Sequence, residues 1–147
     1  MKKKLLLLIL MLLPNFISSC SDDDGEVTPM KWKTEVKGNA ARDGYIHLSP
    51  EGDTFVFQCT NYSDFWITSV TEQEAGGEER KFNPELMDTE DLCITSNWLT
   101  AKREGNKLTV TISPTTSNGN RFMKVYVQNG DAFYEFKFKQ RGLKVGL

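Results

Sequence analysis

The sequence predicts an all-β fold, an antiparallel β-sandwich of about seven short strands, and three observations carry that expectation. From Thr28 onward the dominant hydrophobic period is two, the period of strands with one buried face. Turn-forming clusters recur between the alternating stretches, among them Ser49-Pro50-Glu51-Gly52-Asp53, Glu104-Gly105-Asn106 and Asn129-Gly130. No stretch carries a convincing helical period.

The elements follow in order. Trp32, Thr34 and Val36 alternate in a first short strand, and Tyr45 to Leu48 forms a second apolar stretch. Thr54 to Thr60 sets Phe55, Phe57 and Cys59 on one face against Val56 and Gln58 on the other. Phe65 to Glu72 is rich in β-branched and aromatic residues, as strands are. A polar loop is expected from Gln73 to about Asp91, carrying Gly76-Gly77 and Pro84; loops of that length are functional or lack fixed structure. Leu92 to Thr95 leads to Asn97-Trp98-Leu99, and Lys107 to Ser113 puts Leu108, Val110 and Ile112 on one face. Phe122 to Gln128 alternates Met123, Val125 and Val127 against Lys124 and Tyr126. Asn129-Gly130 predicts a type I′ hairpin, because those turns need positive φ. The return strand then turns Tyr134, Phe136 and Phe138 inward. Short strands with frequent turns of this kind give the sandwich an immunoglobulin-like character.

Ahead of the strands lies an address. Lys2, Lys3 and Lys4 precede the unbroken apolar run Leu5 to Leu13, which is short of the roughly 20 residues a spanning helix needs. Residues 1–19 therefore read as a signal peptide. Ile17-Ser18-Ser19-Cys20 resembles the lipobox of bacterial lipoproteins, with Cys20 as the lipidated residue. Ser21, Asp22, Asp23 and Asp24, followed by Gly25, resemble the acidic export signal of Bacteroidetes surface lipoproteins. The expectation is an outer-membrane protein facing the cell exterior, held by its acyl chains alone. Residues 20–28 would be an acidic tether and residues 29–147 one domain.

The chain has 18 Lys+Arg against 20 Asp+Glu, and losing the three signal lysines moves its formal charge from −2 to −5. No basic field exists to attract nucleic acid. With Cys20 acylated, Cys59 and Cys93 remain as a candidate disulfide whose pairing spacing cannot decide.

The stretch Trp98 to Gly142 resembles the BACON domain, a Bacteroidetes-associated module. Its parts are Trp98-Leu99, the aliphatic strand Leu108 to Ile112, the polar loop Thr115 to Arg121, and the hairpin Met123 to Phe138 closed by Gln140-Arg141-Gly142. The resemblance implies an immunoglobulin-like fold and carbohydrate binding, with Trp98 in the core. The Gln73–Asp91 segment exceeds the usual connection of that module.

Chemistry-bearing residues are sparse. His47 is the single histidine, so neither a Ser–His–Asp site nor a His-rich metal site has support. Glu72, Glu74, Glu78, Glu79, Glu85, Asp88, Glu90 and Asp91 read as a solvated acidic loop without the spacing of a calcium site. No enzymatic activity and no cofactor is expected. Aromatic residues carry the functional expectation instead: Trp66, Tyr62 and Tyr126 are the candidate contacts for a glycan or mucin-type glycoprotein. The alternative is a subunit that contacts other surface proteins through the acidic loop or a strand edge.

Overall fold

The computed structural model describes residues 26–34, 41–84 and 93–143. The signal peptide, Cys20, Ser21, Asp22, Asp23, Asp24, Val36 and the acids Glu85, Asp88, Glu90 and Asp91 lie outside the described residues. Ten strands are present: β1 (Trp32–Thr34), β2 (Ile46–Leu48), β3 (Asp53–Cys59), β4 (Trp66–Glu74) and β5 (Arg80–Phe82) in the first half. β6 (Cys93–Thr95), β7 (Leu99–Glu104), β8 (Lys107–Ile112), β9 (Arg121–Asn129) and β10 (Ala132–Gln140) complete the set. They form two five-stranded sheets, ordered β1-β3-β8-β7-β6 and β2-β10-β9-β4-β5. The described residues contain no helix.

The inner faces of the two sheets pack together as the alternation requires. Phe55, Phe57, Leu108, Val110 and Ile112 of the first sheet are buried, as are Val70, Met123, Val125, Phe136 and Phe138 of the second. Aromatic rings join the layers: Phe57 lies 4.3 Å from Phe136, and Phe55 lies 5.2 Å from Phe138, centroid to centroid. Each such ring taken from water contributes about 2 kcal/mol before packing is considered.

Four expectations need correction. The strands number ten among the described residues rather than about seven, because the expected Gln73–Asp91 loop begins as a hairpin and short edge strands add to the count. β4 runs through Glu74, Gly76 turns the chain at φ 79°, and β5 pairs back with Val70 opposite Phe82. Second, the sheet is not purely antiparallel, since β2 pairs parallel to β10 with Ile46 opposite Phe138. Third, the final hairpin turns on Gly130-Asp131, with Asn129 opposite Ala132. Glycine alone has positive φ there (54°), the sign pattern of a type II′ turn rather than type I′.

The fourth concerns the cysteines. Cys59 is buried on β3 and Cys93 is exposed on β6, and both are free thiols. Two strands, β8 and β7, separate them in one sheet, which sets their backbones roughly 14 Å apart. A disulfide tolerates a Cα separation of at most about 7 Å, so the pair cannot close. Cys93 is expected to react with a thiol reagent in the native protein and Cys59 only after unfolding; protection of both in a non-reducing, native assay would contradict this placement.

Gln140 and the turn before β3 lock the end of the core. Buried Gln140 donates from its amide to the carbonyls of Ser113 (2.9 Å), Pro50 (3.3 Å) and Ser49 (3.4 Å). Gly52 closes that turn at φ 78°, and a Cβ there would stand 2.2 Å from the Ile112 carbonyl oxygen. Gly52→Ala is therefore expected to cost more than about 2 kcal/mol, from left-handed backbone and steric overlap together. Urea denaturation of the purified variant measures it, and an unchanged midpoint would contradict the geometry.

Candidate functional site

The outer face of the β2-β10-β9-β4-β5 sheet gathers the polar and aromatic side chains that the core excludes. Cross-strand register arranges them in rows. Trp66, Gln128 and Phe133 form the first, and Ser69, Tyr126 and Glu135 the second. Lys81, Thr71, Lys124 and Lys137 form the third, and Gln73, Phe122, Lys139 and His47 the fourth.

A bulge creates the relief of this surface. Between Ile67 and Ser69 the register of β4 slips against β9, leaving Thr68 as the extra residue. Its hydroxyl donates to the Tyr126 carbonyl at 3.2 Å. Thr68, Ser69, Thr71, Tyr126, Phe133 and Glu135, together with Glu79 and Lys81, line an open depression of about 640 Å³. That volume falls within the range of small-ligand sites.

Tyr126 sits in the middle of the depression, half-buried, directly opposite Glu135. Burial, and then its hydrogen bond to the Glu135 carboxylate, hold the phenol above the usual tyrosine range. The neighbouring Lys124 ammonium is also held above its usual range. Burial opposes that shift, but Tyr126, Glu135 and Glu79 outweigh it, and Glu79 lies 3.7 Å away. The depression thus presents phenol, hydroxyl, carboxylate and ammonium groups around two rings, a set able to donate and accept hydrogen bonds with a hydroxyl-rich ligand.

The three sequence-predicted contacts do not converge. Tyr126 lines the depression. Trp66 stands beside it in the first row with 52% of its surface exposed, and Phe133, a residue outside the predicted set, is 66% exposed. Their backbones are two strand spacings apart, about 10 Å. Tyr62 is structural instead. Its ring packs against the core and its hydroxyl donates to the Thr28 carbonyl at 2.6 Å. Its neighbour Asn61 accepts from Lys31 N–H (2.8 Å) and donates to the Pro29 carbonyl (2.9 Å), which ties the first segment down.

The acids expected in a solvated loop are also partly structural. Glu72 is fully buried on the inner face of β4. Its carboxylate accepts from Asn97 Nδ2 (2.6 Å) and Trp98 N–H (3.2 Å) and pairs with Arg80 at 3.1 Å. Glu74 accepts a hydrogen bond from Ser117 Oγ. Trp98 is half-buried against the core, with the guanidinium groups of Arg80 and Arg121 at 4.9 and 4.4 Å from its ring. His47 is exposed and bonds Asp43 at 2.9 Å.

No family model and no curated protein matches the chain. Among solved structures, the NMR structure of a protein from Bacteroides thetaiotaomicron is 35% identical, with the match covering 84% of this chain and 96% of that one at a TM-score of 0.64. Titin domain M7 is 9% identical, with 78% of this chain and 96% of that one covered at a TM-score of 0.40. The chain belongs to the same family as the Bacteroides thetaiotaomicron protein.

The raised phenol gives a pH test. The unfolded chain releases the tyrosine proton at the ordinary value, before Tyr126 releases it in the folded protein. Its contribution to stability is therefore complete below that ordinary value and is lost as pH rises through the folded value. Tyr126 followed by NMR should titrate above the ordinary tyrosine value of the unfolded chain, and Glu135→Gln should bring it down. Titration of Tyr126 at or below that ordinary value would contradict the site as described.

Proposed function

We propose that the protein is a non-enzymatic surface lipoprotein, lipidated at Cys20, whose outer sheet face binds a glycan or a mucin-type glycoprotein. In this proposal the two sheets form an immunoglobulin-like sandwich of the BACON type, displayed on the outer membrane behind an acidic tether. The observation that carries the binding proposal is the pair of exposed rings, Trp66 and Phe133, flanking Gln128 beside the Tyr126 depression. The axial C–H face of a sugar ring stacks on such rings, while hydroxyls exchange hydrogen bonds with Tyr126, Glu135 and Thr71. Large apolar side chains exposed side by side on a folded domain mark a contact surface. Strand-borne side chains also lose little freedom on binding, which keeps the cost of association low.

A protein partner is the alternative, and the 66% exposure of Phe133 favours it, because an unshielded phenyl ring is a common anchor in protein contacts. One experiment separates the two. A glycan array and mucin pull-down should give binding that Trp66→Ala and Tyr126→Phe each weaken at least fivefold. Binding to no glycan, together with co-purification of a surface protein lost in Phe133→Ala, would replace the glycan proposal with the protein one.

A further inference from the structure

We infer that a second pocket, at the end of β10 beside the parallel β2 pairing, is a binding site for an oxyanion group, sulfate, phosphate or carboxylate. This site is separate from the aromatic depression and does not depend on what that depression takes. It is an open pocket of about 470 Å³ lined by His47, Leu48, Ser49, Asn120, Lys139 and Arg141. Register explains why these residues meet. Lys139 lies opposite His47 on β2 and Phe122 on β9, and Arg141 follows two residues later on the same face, about 7 Å along the strand. The chain past β10 stays attached to β2 through Arg141 N–H, which donates to the Leu48 carbonyl at 3.1 Å.

The side chains in this pocket are a set of donors. Asn120 accepts from Gly142 N–H through Oδ1 at 3.1 Å, which leaves its Nδ2 to donate. The Arg141 guanidinium and the Ser49 hydroxyl have no hydrogen-bond or ion-pair partner among the described residues. The Lys139 ammonium lies 5.6 Å from the Phe122 ring centroid, and its charge acts on the Asp43 carboxylate without a close ion pair between them. The nearby acid, Asp43, is engaged: it accepts from Tyr45 N–H at 3.0 Å and from His47 Nε2 at 2.9 Å. Charge-assisted bonds from arginine, lysine and an oriented amide match the oxygens of a tetrahedral or planar anion, which can accept several at once. The guanidinium supplies the directional part of that recognition and the ammonium a point charge.

The test is an NMR titration of the purified protein with three probes: inorganic sulfate, inorganic phosphate and galactose 6-sulfate. Saturating shifts at Ser49, Asn120, Lys139 and Arg141 are expected, with affinity falling at least fivefold in Arg141→Ala and largely kept in Arg141→Lys. Arg141 is exposed, so the variant is expected to keep its fold, which its spectrum verifies directly. Galactose 6-sulfate binding more tightly than sulfate would assign the pocket to a sulfated sugar, and equal or tighter binding of inorganic ions would assign it to a free oxyanion; both support the site. Shifts that do not saturate, or that Arg141→Ala leaves unchanged, would overturn it. Glycan binding at Trp66 and Tyr126 is read separately, so loss of one site does not count against the other.

Discussion

The extra residue at Thr68 is the constraint from which both faces of the second sheet follow. A strand with strict alternation that turns Ile67 inward would turn Ser69 and Thr71 inward and Val70 and Glu72 out to solvent. The bulge shifts that pattern by one residue. Val70 then joins the core opposite Val125, while Ser69 and Thr71 face outward opposite Tyr126 and Lys124. Glu72 is carried inward by the same shift, opposite Met123. A carboxylate taken out of water in this way needs partners, and Asn97, the Trp98 N–H and Arg80 supply them. One inserted residue thus shapes the depression outside and obliges a polar latch inside.

That latch joins the layers where apolar packing ends. Glu72 and Arg80 belong to the β4–β5 hairpin, while Asn97 and Trp98 belong to the turn between β6 and β7 in the other sheet. Arg80 and Arg121 pack against Trp98 and keep the indole between the sheets. Only Glu72 is fully buried, while Arg80 is half exposed, so solvent screens the ion pair and the fixed partners of the carboxylate are Asn97 and the Trp98 N–H. The latch therefore selects which turn meets which hairpin, more than it adds to net stability. At the same end Gln140 adds neutral hydrogen bonds, holding the turn before β3 and the end of β8 to β10, and Ser113, which it contacts, bonds in turn to the Trp98 carbonyl.

These devices separate what the sequence reveals from what it conceals. Phe55, Phe57 and Cys59 alternate without interruption, as do Leu108, Val110 and Ile112, so their burial follows from period alone. Between Phe65 and Glu74 the bulge changes the phase midway, and one period cannot describe both halves. The acids of that stretch then resemble a solvated loop, and Gly76-Gly77, a hairpin signal in its own right, is absorbed into it. Tyr62 shows the complementary failure. Its composition and neighbours suit a ligand site, but the Thr28 carbonyl that occupies its hydroxyl lies 34 residues away. Trp66 and Tyr126 were legible as outward-facing because each flanks a clear inward neighbour, Ile67 and Val125 respectively. Phe133 follows from the same rule, since the alternation that turns Tyr134 inward, opposite buried Val127 and against Trp32, leaves Phe133 on the outer face.

The second sheet's outer face changes character along its length, and that gradient bears on how it could hold a ligand. Exposed rings lie near the β9–β10 turn, while Lys139, Arg141 and His47 lie toward the far end, beside β2. The two regions are fixed on the same strands, so their spacing is set by the backbone and needs no loop closure to bring them into line. A shallow, open face removes only part of a ligand from water, which limits what one contact can contribute. Two rigidly spaced subsites, as proposed above, would change that balance. A ligand long enough to reach both would make its second contact within the same molecule, at an effective concentration set by the sheet rather than by solution. Under the proposed surface display, many anchored copies extend the same gain to a repetitive polymer. On that proposal, weak individual sites on a stiff sheet would retain a long chain that either site alone would release.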